Sequence, residues 1–293
     1  MIPNAEQLNE IKKRELEILK AVTDVCDRLG TEYFIVQGTL IGAVRHGGFI
    51  PWDDDVDIGM MRPDYDRFIS GAQALLPEGL FLQNRYTEPN YPHGFAKVRF
   101  TRSAFVEYSC RKLDIDHGIF IDVFPFDRYP DDPIRAAVLN TKKLLLRYRV
   151  RSMLCSPETR APLPKRALQK LLCAVSRAVY PDIEEALDKQ TELYGSCKKG
   201  RRVISHGSPW GKRELIPAEW VEKTCTLSFE GLSVKAPAGY REYLAKVYGD
   251  YMKLPPEEKR VSHHEVFYLN TSRAYDGLAV TDEAEMMSPG SFI

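Results

Sequence analysis

At 293 residues and 44% hydrophobic composition, the chain is long enough to bury a substantial core, as one large domain or two smaller ones. Lysine plus arginine and aspartate plus glutamate both number 41, so the total charge excludes little and only its segregation along the chain is informative. The six cysteines form no C-x-x-C pair, which speaks against a structural zinc knuckle and against a disulfide framework.

The first residues, MIPNAEQLNEIKKRELEILKAV, are charged and periodic, without the apolar stretch of a secretory signal. No later segment approaches the roughly 20 apolar residues of a membrane span. These features predict a soluble, cytoplasmic protein with reduced thiols. Leu8, Ile11, Ile18, Val22, Val25 and Leu29 recur at helical spacing, and Gly30 ends that helix. EYFIVQ (32–37) reads as a short buried strand, Gly38-Thr39 as a break, and 40–45 as a helical turn. DVDIGM (55–60) alternates polar and apolar as a second strand. Pro63 suits the first turn of a helix over 65–75, and 95–100 and 118–124 read as further strands. From 139 to 180 the pattern is helical and basic, with ten lysines and arginines against one acid, Glu158, between 141 and 180. Prolines at 157, 162 and 164 predict a loop over 156–165, and 201–211 looks irregular. A hairpin is expected over 224–237 and a helix over 239–248. This mixture predicts an α/β (α+β) fold, a mixed sheet flanked by helices. Its expected division is a catalytic core at 1–138, a basic helical insertion at 139–220, and a C-terminal part at 221–293 packing back on the core.

Four aspartates within five residues, Asp53, Asp54, Asp55 and Asp57, are the most informative feature. On a strand, Asp55 and Asp57 share a face with Cα atoms roughly 6.6 Å apart, close enough to converge on one divalent cation or bracket two. Mg²⁺ or Mn²⁺ suits such a set, because magnesium takes one or two protein carboxylates and fills its shell with water and phosphate oxygens. A solvated acidic turn is the plainer reading, weakened by like-charge repulsion and by the apolar flanks Phe49, Ile50, Trp52 and Ile58. Asp53 and Asp54 are left as supporting or turn residues. A third carboxylate is expected from Asp122, which interrupts the apolar run IFIDVF and needs either a metal ion or a buried arginine as partner. Asp116 and Asp127 are weaker candidates.

Gly38-Thr39 follows a strand and opens a helical turn, where backbone amides bind anions. Arg45 and His46 follow it. Lys97 and Arg99 share one strand face, either to neutralise a diphosphate or simply to meet solvent.

The run GTLIGAVRHGGFIPWDDDVDIGM at 38–60 strongly resembles the LicD family of bacterial phosphocholine transferases, a family similar to the fukutin group. FAKVR (95–99), IFIDVFPFD (119–127), and YGDYM (248–252) with Pro255-Pro256 and His263-His264 resemble the same family. The likeness spans about 30–265 and leaves 139–220 without a matching motif. It implies the nucleotidyltransferase superfold, Gly38-Thr39 as the glycine turn, Asp55 and Asp57 as metal ligands, and Asp122 as the third acid. It further implies transfer of phosphocholine from CDP-choline to a sugar hydroxyl of teichoic acid, lipopolysaccharide or capsule, with other alditol phosphates, or nucleotidyl transfer from an NTP, as alternatives. Gly38, Thr39, Arg45, Lys97, Arg99 and His263 are then the candidate donor-binding residues, with His263 and His264 alternatively a packed pair. Trp52, Trp210, Tyr248 and Tyr251 are available for a choline cage, or for plain packing. The basic stretch suits an anionic or lipid-linked glycan acceptor and peripheral contact at the inner face of a membrane, or else is a solvated helical face. It holds no RNA-binding aromatic motif, so nucleic acid is a poor partner.

Overall fold

The computed structural model describes residues 2–154, 163–208, 210–262 and 264–276, with the side chains of all of these except 163–165. Helix α1 (Ala5–Leu29) opens on a reciprocal capping box between Asn4 and Gln7 and closes on left-handed Gly30, φ 61°. Its buried stripe, Ile11, Ile18, Leu19, Val22 and Val25, packs against the sheet, each side chain contributing about 1.5–3 kcal/mol.

The chain continues through β1 (Phe34–Ile35), α2 (Gln37–His46), β2 (Asp57–Met61), α3 (Arg62–Gly71), β3 (Leu80–Gln83), β4 (Ala96–Phe100), β5 (Ala104–Glu107) and β6 (Ile119–Tyr129). Helices α4 (Pro133–Arg151), α5 (Leu163–Val179) and α6 (Ile183–Tyr194) follow. Then come β7 (Arg202–Ser205), β8 (Ile216–Pro217), β9 (Thr224–Phe229), β10 (Leu232–Pro237), α7 (Tyr240–Tyr248) and β11 (Val266–Asn270). The result is the mixed α/β architecture expected.

Seven strands form the main sheet in the order β1-β2-β6-β4-β3, with β7 joining β6 and β8 joining β7. Among the described residues of this sheet only β2 and β6 run parallel; the other pairs are antiparallel. The eleven-residue β6 is the axis of this sheet. Its first half pairs with β4 up to Val123, its last residues pair with β7 from Phe126, and Pro125, which has no N–H to donate, falls between the two partners. Two small antiparallel pairs, β9–β10 and β5–β11, flank the main sheet. The β9–β10 turn is the two-residue pair Glu230-Gly231, both at positive φ (49° and 78°), as a type I′ hairpin demands. Its Glu230 carboxylate accepts the Phe49 N–H at 2.9 Å, which pins the hairpin to the loop after α2.

Several expectations shift. The strand over 32–37 shrinks to two residues, because Gln37 turns to φ 50° and starts α2. The second strand begins at Asp57, not Asp55: the Asp57 N–H is taken by the Thr39 hydroxyl at 2.8 Å instead of a neighbouring strand. The segment 201–211 is not irregular throughout, since Arg202–Ser205 forms β7 on the main sheet. The loop expected over 156–165 lies mostly outside the described residues, and α5 begins at Leu163. Cys26, Cys110, Cys173, Cys197 and Cys225 are free thiols. Among the described residues no helix is long and apolar enough to cross a membrane.

Candidate active site

Three neighbouring strands set one residue each in a single row. Asp57 on β2 is the register partner of Asp122 on β6, and Asp122 is the partner of Lys97 on β4. Register partners project from the same face of a sheet. Lys97 Nζ donates to Asp122 Oδ1 at 2.8 Å and lies 3.6 Å from Glu107 Oε2 on β5. Arg99, two residues along, donates to the Gly118 carbonyl at 2.6 Å and to Gln83 Oε1, and its guanidinium lies 3.9 Å from Glu107. The Phe120 ring supports both cations, 3.3 Å from Lys97 Nζ and 4.8 Å from the Arg99 guanidinium carbon. The solvent-facing alternative for Lys97 and Arg99 is therefore overturned, since both are buried (2% and 1% exposed) and paired. The partner of Asp122 in this structure is a lysine, where the sequence suggested an arginine or a metal.

Ahead of β2, Asp53, Asp54 and Asp55 each offer a carboxylate oxygen, the three lying within 4.8 Å of one another. Asp53 and Asp54, read as turn or supporting residues, are buried members of this cluster. Asp54 accepts from Ser262 and sits 3.2 Å from His264 Nδ1. A Cβ on Gly38 would meet a carboxylate oxygen of Asp53 at 2.5 Å, so any other residue there would push that carboxylate aside. Thr39 holds the start of β2 through the Asp57 N–H. Gln37, just before this turn, is buried at positive φ with its side-chain amide nitrogen unpartnered. A non-glycine residue in that region stores strain, and the cradle at the head of α2 is where it is stored.

The electrostatics follow from burial and crowding. Burial pushes Asp53, Asp57 and Asp122 up from the usual carboxylate range; Asp55 adds to the shift of Asp53 and Asp57, and Lys97 opposes that of Asp122. Asp55 is pushed up to about 6, mainly by burial, with His264 opposing the shift. Burial alone would lower His264, but its hydrogen bond to Asp54 and the charges of Asp55 and Glu107 push it up to about 10. Burial would raise Glu107, yet Lys97, His264 and His93 hold it well below the carboxylate range.

A further acid comes from α1. Glu15 is 1% exposed, one of its oxygens has no partner, and burial beside Asp55, Asp54 and Asp53 raises it far above its usual value. The sequence reading missed Glu15; the one local signal was an acid at a core position of the buried stripe between Ile11 and Ile18, which marks burial but not its partners. It missed Glu107 and His93 too, because β5 and the segment before β4 carried no separate signal. An orphaned buried carboxylate oxygen beside three aspartates fits a divalent cation, and the all-oxygen donor set fits a hard one. A second group, His93, Glu107 and Cys110, also offers ligand atoms within 4.8 Å of one another. There the Glu107 carboxylate is already neutralised by Lys97 and Arg99.

The remaining candidates fall as follows. Arg45 donates to the Tyr251 carbonyl at 2.7 Å, so its guanidinium holds the turn after α7. His263 lies outside the described residues. Among the aromatic candidates, Trp210 and Tyr248 meet edge to face at 4.7 Å, and Tyr248 is close enough to Asp57 for that charge to raise it, after burial and Glu214. Trp52 instead carries Arg260 5.7 Å from its ring centroid. Asp127 is committed to Arg62 through two bonds of 2.6 and 2.7 Å and is structural.

A mixed sheet with carboxylates massed at the mouth of its central parallel pair, beside a glycine turn heading a helix, is the layout of a phosphotransferase built on a nucleotidyltransferase core. Known proteins agree. The family model described as LicD/FKTN/FKRP, nucleotidyltransferase domain, matches residues 30–168. The lipopolysaccharide cholinephosphotransferase LicD of Haemophilus influenzae is 30% identical over 261 residues, covering 85% of this chain and 92% of that protein. Human ribitol 5-phosphate transferase FKRP is 34% identical over 91 residues, 26% of this chain and 18% of its own length. An uncharacterized protein of Rickettsia prowazekii is 41% identical over 121 residues, 39% of this chain and 40% of its own length. The chain belongs to the LicD family and is an enzyme of the phosphotransferase class.

Proposed function

We propose that the chain transfers phosphocholine from CDP-choline to a sugar hydroxyl of a cell-envelope glycan, whether lipopolysaccharide, teichoic acid or capsule. The observation that carries this reading is the Asp57–Asp122–Lys97 row beside the Asp53–Asp55 cluster, in a chain that covers 92% of a lipopolysaccharide cholinephosphotransferase.

Asp55, Asp57 and Asp122 are the proposed metal ligands and catalytic acids, with Glu15, Asp53 and Asp54 deepening the negative charge around them. Bound Mg²⁺ or Mn²⁺ would neutralise the donor pyrophosphate and ease departure of CMP. The amides at Gly38 and Thr39, at the head of α2, face the donor phosphates. Lys97 and Arg99 supply positive charge held in place by Phe120, Gln83 and Glu107, so it costs no reorganisation during reaction. Trp210 and Tyr248 offer ring faces to the quaternary ammonium. The acceptor oxygen attacks the choline-bearing phosphorus, the bond from that phosphorus to the CMP oxygen breaks, and Asp122 takes the hydroxyl proton. Arg45 acts at a distance by fixing the turn after α7, and His263 belongs with the donor-binding set. A lipid-linked acceptor would bring the chain to the inner face of a membrane.

Supplying CDP-choline and CTP in parallel tests the reading. Release of CMP from CDP-choline in the presence of divalent cation supports it; pyrophosphate from CTP without CMP release replaces it with nucleotidyl transfer. The identity to FKRP favours a second cargo, ribitol phosphate, so CDP-ribitol and CDP-glycerol belong in the same assay. If Asp55→Ala and Asp57→Ala leave the turnover and the cellular phenotype intact, the chain acts instead as a binding protein.

A further inference from the structure

A helix on the surface of a folded domain ordinarily turns its apolar stripe inward and its polar face to water. Helix α5 does the reverse. Leu168, Leu171, Val175 and Val179 recur at i, i+3, i+7 and i+11 and are 55%, 60%, 41% and 51% exposed. Ala167, Ala174 and Ala178 lie in the same exposed sector. The side that meets α4 holds Gln169, Leu172, Cys173 and the fully buried Ser176. Polar bonds tie the end of α5 down there: Cys173 Sγ to the Tyr148 carbonyl at 3.8 Å, and Arg149 Nε to the Tyr180 carbonyl at 2.8 Å. The apolar stripe therefore stays outward in the packed helix.

Helix α4 carries six lysines and arginines and α5 four, and neither helix contains an aspartate or glutamate. At about 100° per residue, exposed Arg166, Lys170 and Arg177 share a second sector of α5, roughly opposite the leucine–valine stripe and beyond the exposed alanines. An apolar stripe on one side of a helix and a cationic polar face on the other is the chemistry of a helix lying in a lipid–water interface, where the apolar side chains enter the acyl boundary and the long cationic ones reach back to anionic headgroups. A protein partner fits less well, since so uniformly basic a polar face would need an acidic counterpart.

We propose that α5 seats the protein on an anionic phospholipid surface, with Leu168, Leu171, Val175 and Val179 in the acyl boundary and Arg166, Lys170 and Arg177 on lipid phosphates. The proposal rests on this helix and not on the identity of the donor, so it stands or falls separately from the transfer reaction.

The full-length chain is sedimented with vesicles of phosphatidylcholine alone and of phosphatidylcholine mixed with phosphatidylglycerol. Binding is expected to the mixed vesicles and to weaken with salt. Leu171→Asp and Val175→Asp each reduce it by at least about tenfold, because each removes a large apolar side chain from the acyl boundary. Lys170→Glu with Arg177→Glu abolishes the preference for the anionic vesicles. These positions are exposed, so circular dichroism and turnover of a water-soluble donor remain at wild-type levels. Absence of binding to mixed vesicles overturns the proposal, as does undiminished binding of Leu171→Asp. Light scattering that finds a dimer in solution, split to monomer by Leu171→Asp, also overturns it and makes the face a self-association surface.

Discussion

Asp57 and Asp122 stand side by side as register partners on the parallel strands β2 and β6, and only Asp122 has a cation, Lys97, on its other flank. The two acids are therefore inequivalent. Asp122 is half of a salt bridge, whereas Asp57 is pushed far above its usual value by burial, Asp55 and Asp122 with little to compensate.

Neutralising either acid removes charge that the proposed reaction needs, so Asp57→Asn and Asp122→Asn should each slow transfer by about 10²–10³-fold. Their effects on stability should have opposite signs. In EDTA at neutral pH, Asp57→Asn relieves repulsion and gains about 1 kcal/mol. Asp122→Asn strands Lys97 and loses stability. Urea unfolding of both variants checks the signs, and a destabilised Asp57→Asn contradicts the inequivalence.

Lys97 lies between Asp122 and Glu107 with almost no access to water. Lys97→Met leaves those carboxylates buried without their cation and should cost about 3–5 kcal/mol. The double variant Lys97→Met/Asp122→Asn should recover part of that loss. A double-mutant cycle by urea denaturation measures the coupling, and strict additivity would mean that the pair does not interact.

Without metal, the acidic cluster should cost the chain stability as pH rises. Asp55, up to about 6 through burial from an ordinary value near 3.9, binds its proton more tightly when folded, so its contribution is full below about pH 4 and is lost as pH rises through about 6. His264, up to about 10 although burial alone would lower it, contributes fully below about pH 6.5 and loses that contribution as pH rises through about 10. Both act in the same direction, whereas His93 and His206, held by burial at about 4 and about 3, oppose them below about pH 6.5. The melting temperature in EDTA should therefore fall between about pH 6.5 and 8, and Mg²⁺ should raise it more at pH 8 than at pH 6.5. Thermal scans showing the opposite slope in EDTA would refute this account.

Thr39 links the glycine turn to the acids by accepting the Asp57 N–H. Thr39→Val removes the acceptor and should cost about 1–2 kcal/mol, with a larger effect on kcat than on KM because Asp57 is displaced. Thr39→Ser retains the oxygen and should stay close to wild type. Equal behaviour of the two variants would show that the hydroxyl has no such role.

Much of this was legible in the sequence because it is local. Helix α1 and its end at Gly30, the β9–β10 hairpin and the strand over 95–100 are each written in the spacing of apolar residues and turn residues within one segment. The acidic run announced itself by the density of like charge beside Trp52 and Ile58. Strand alternation, however, was applied two residues too early. Asp55 lies ahead of the ladder, because the Thr39 hydroxyl, distant in sequence, takes the N–H of Asp57. Four-residue β7 and two-residue β1 are too short to show a period, and their pairing with β6 and β2 makes them strands.

By itself, the sequence determined the α/β class, the glycine turn, the acidic cluster and the family motifs, all carried by neighbours along the chain. Tertiary structure alone decided that Lys97 faces Asp122, that Glu15 and His264 close on the acidic cluster, and that α5 turns its apolar stripe outward. The physical reason is register and packing: which residue stands beside which across two strands, or under a helix, is set by segments far apart in sequence, and no spacing within either segment records it.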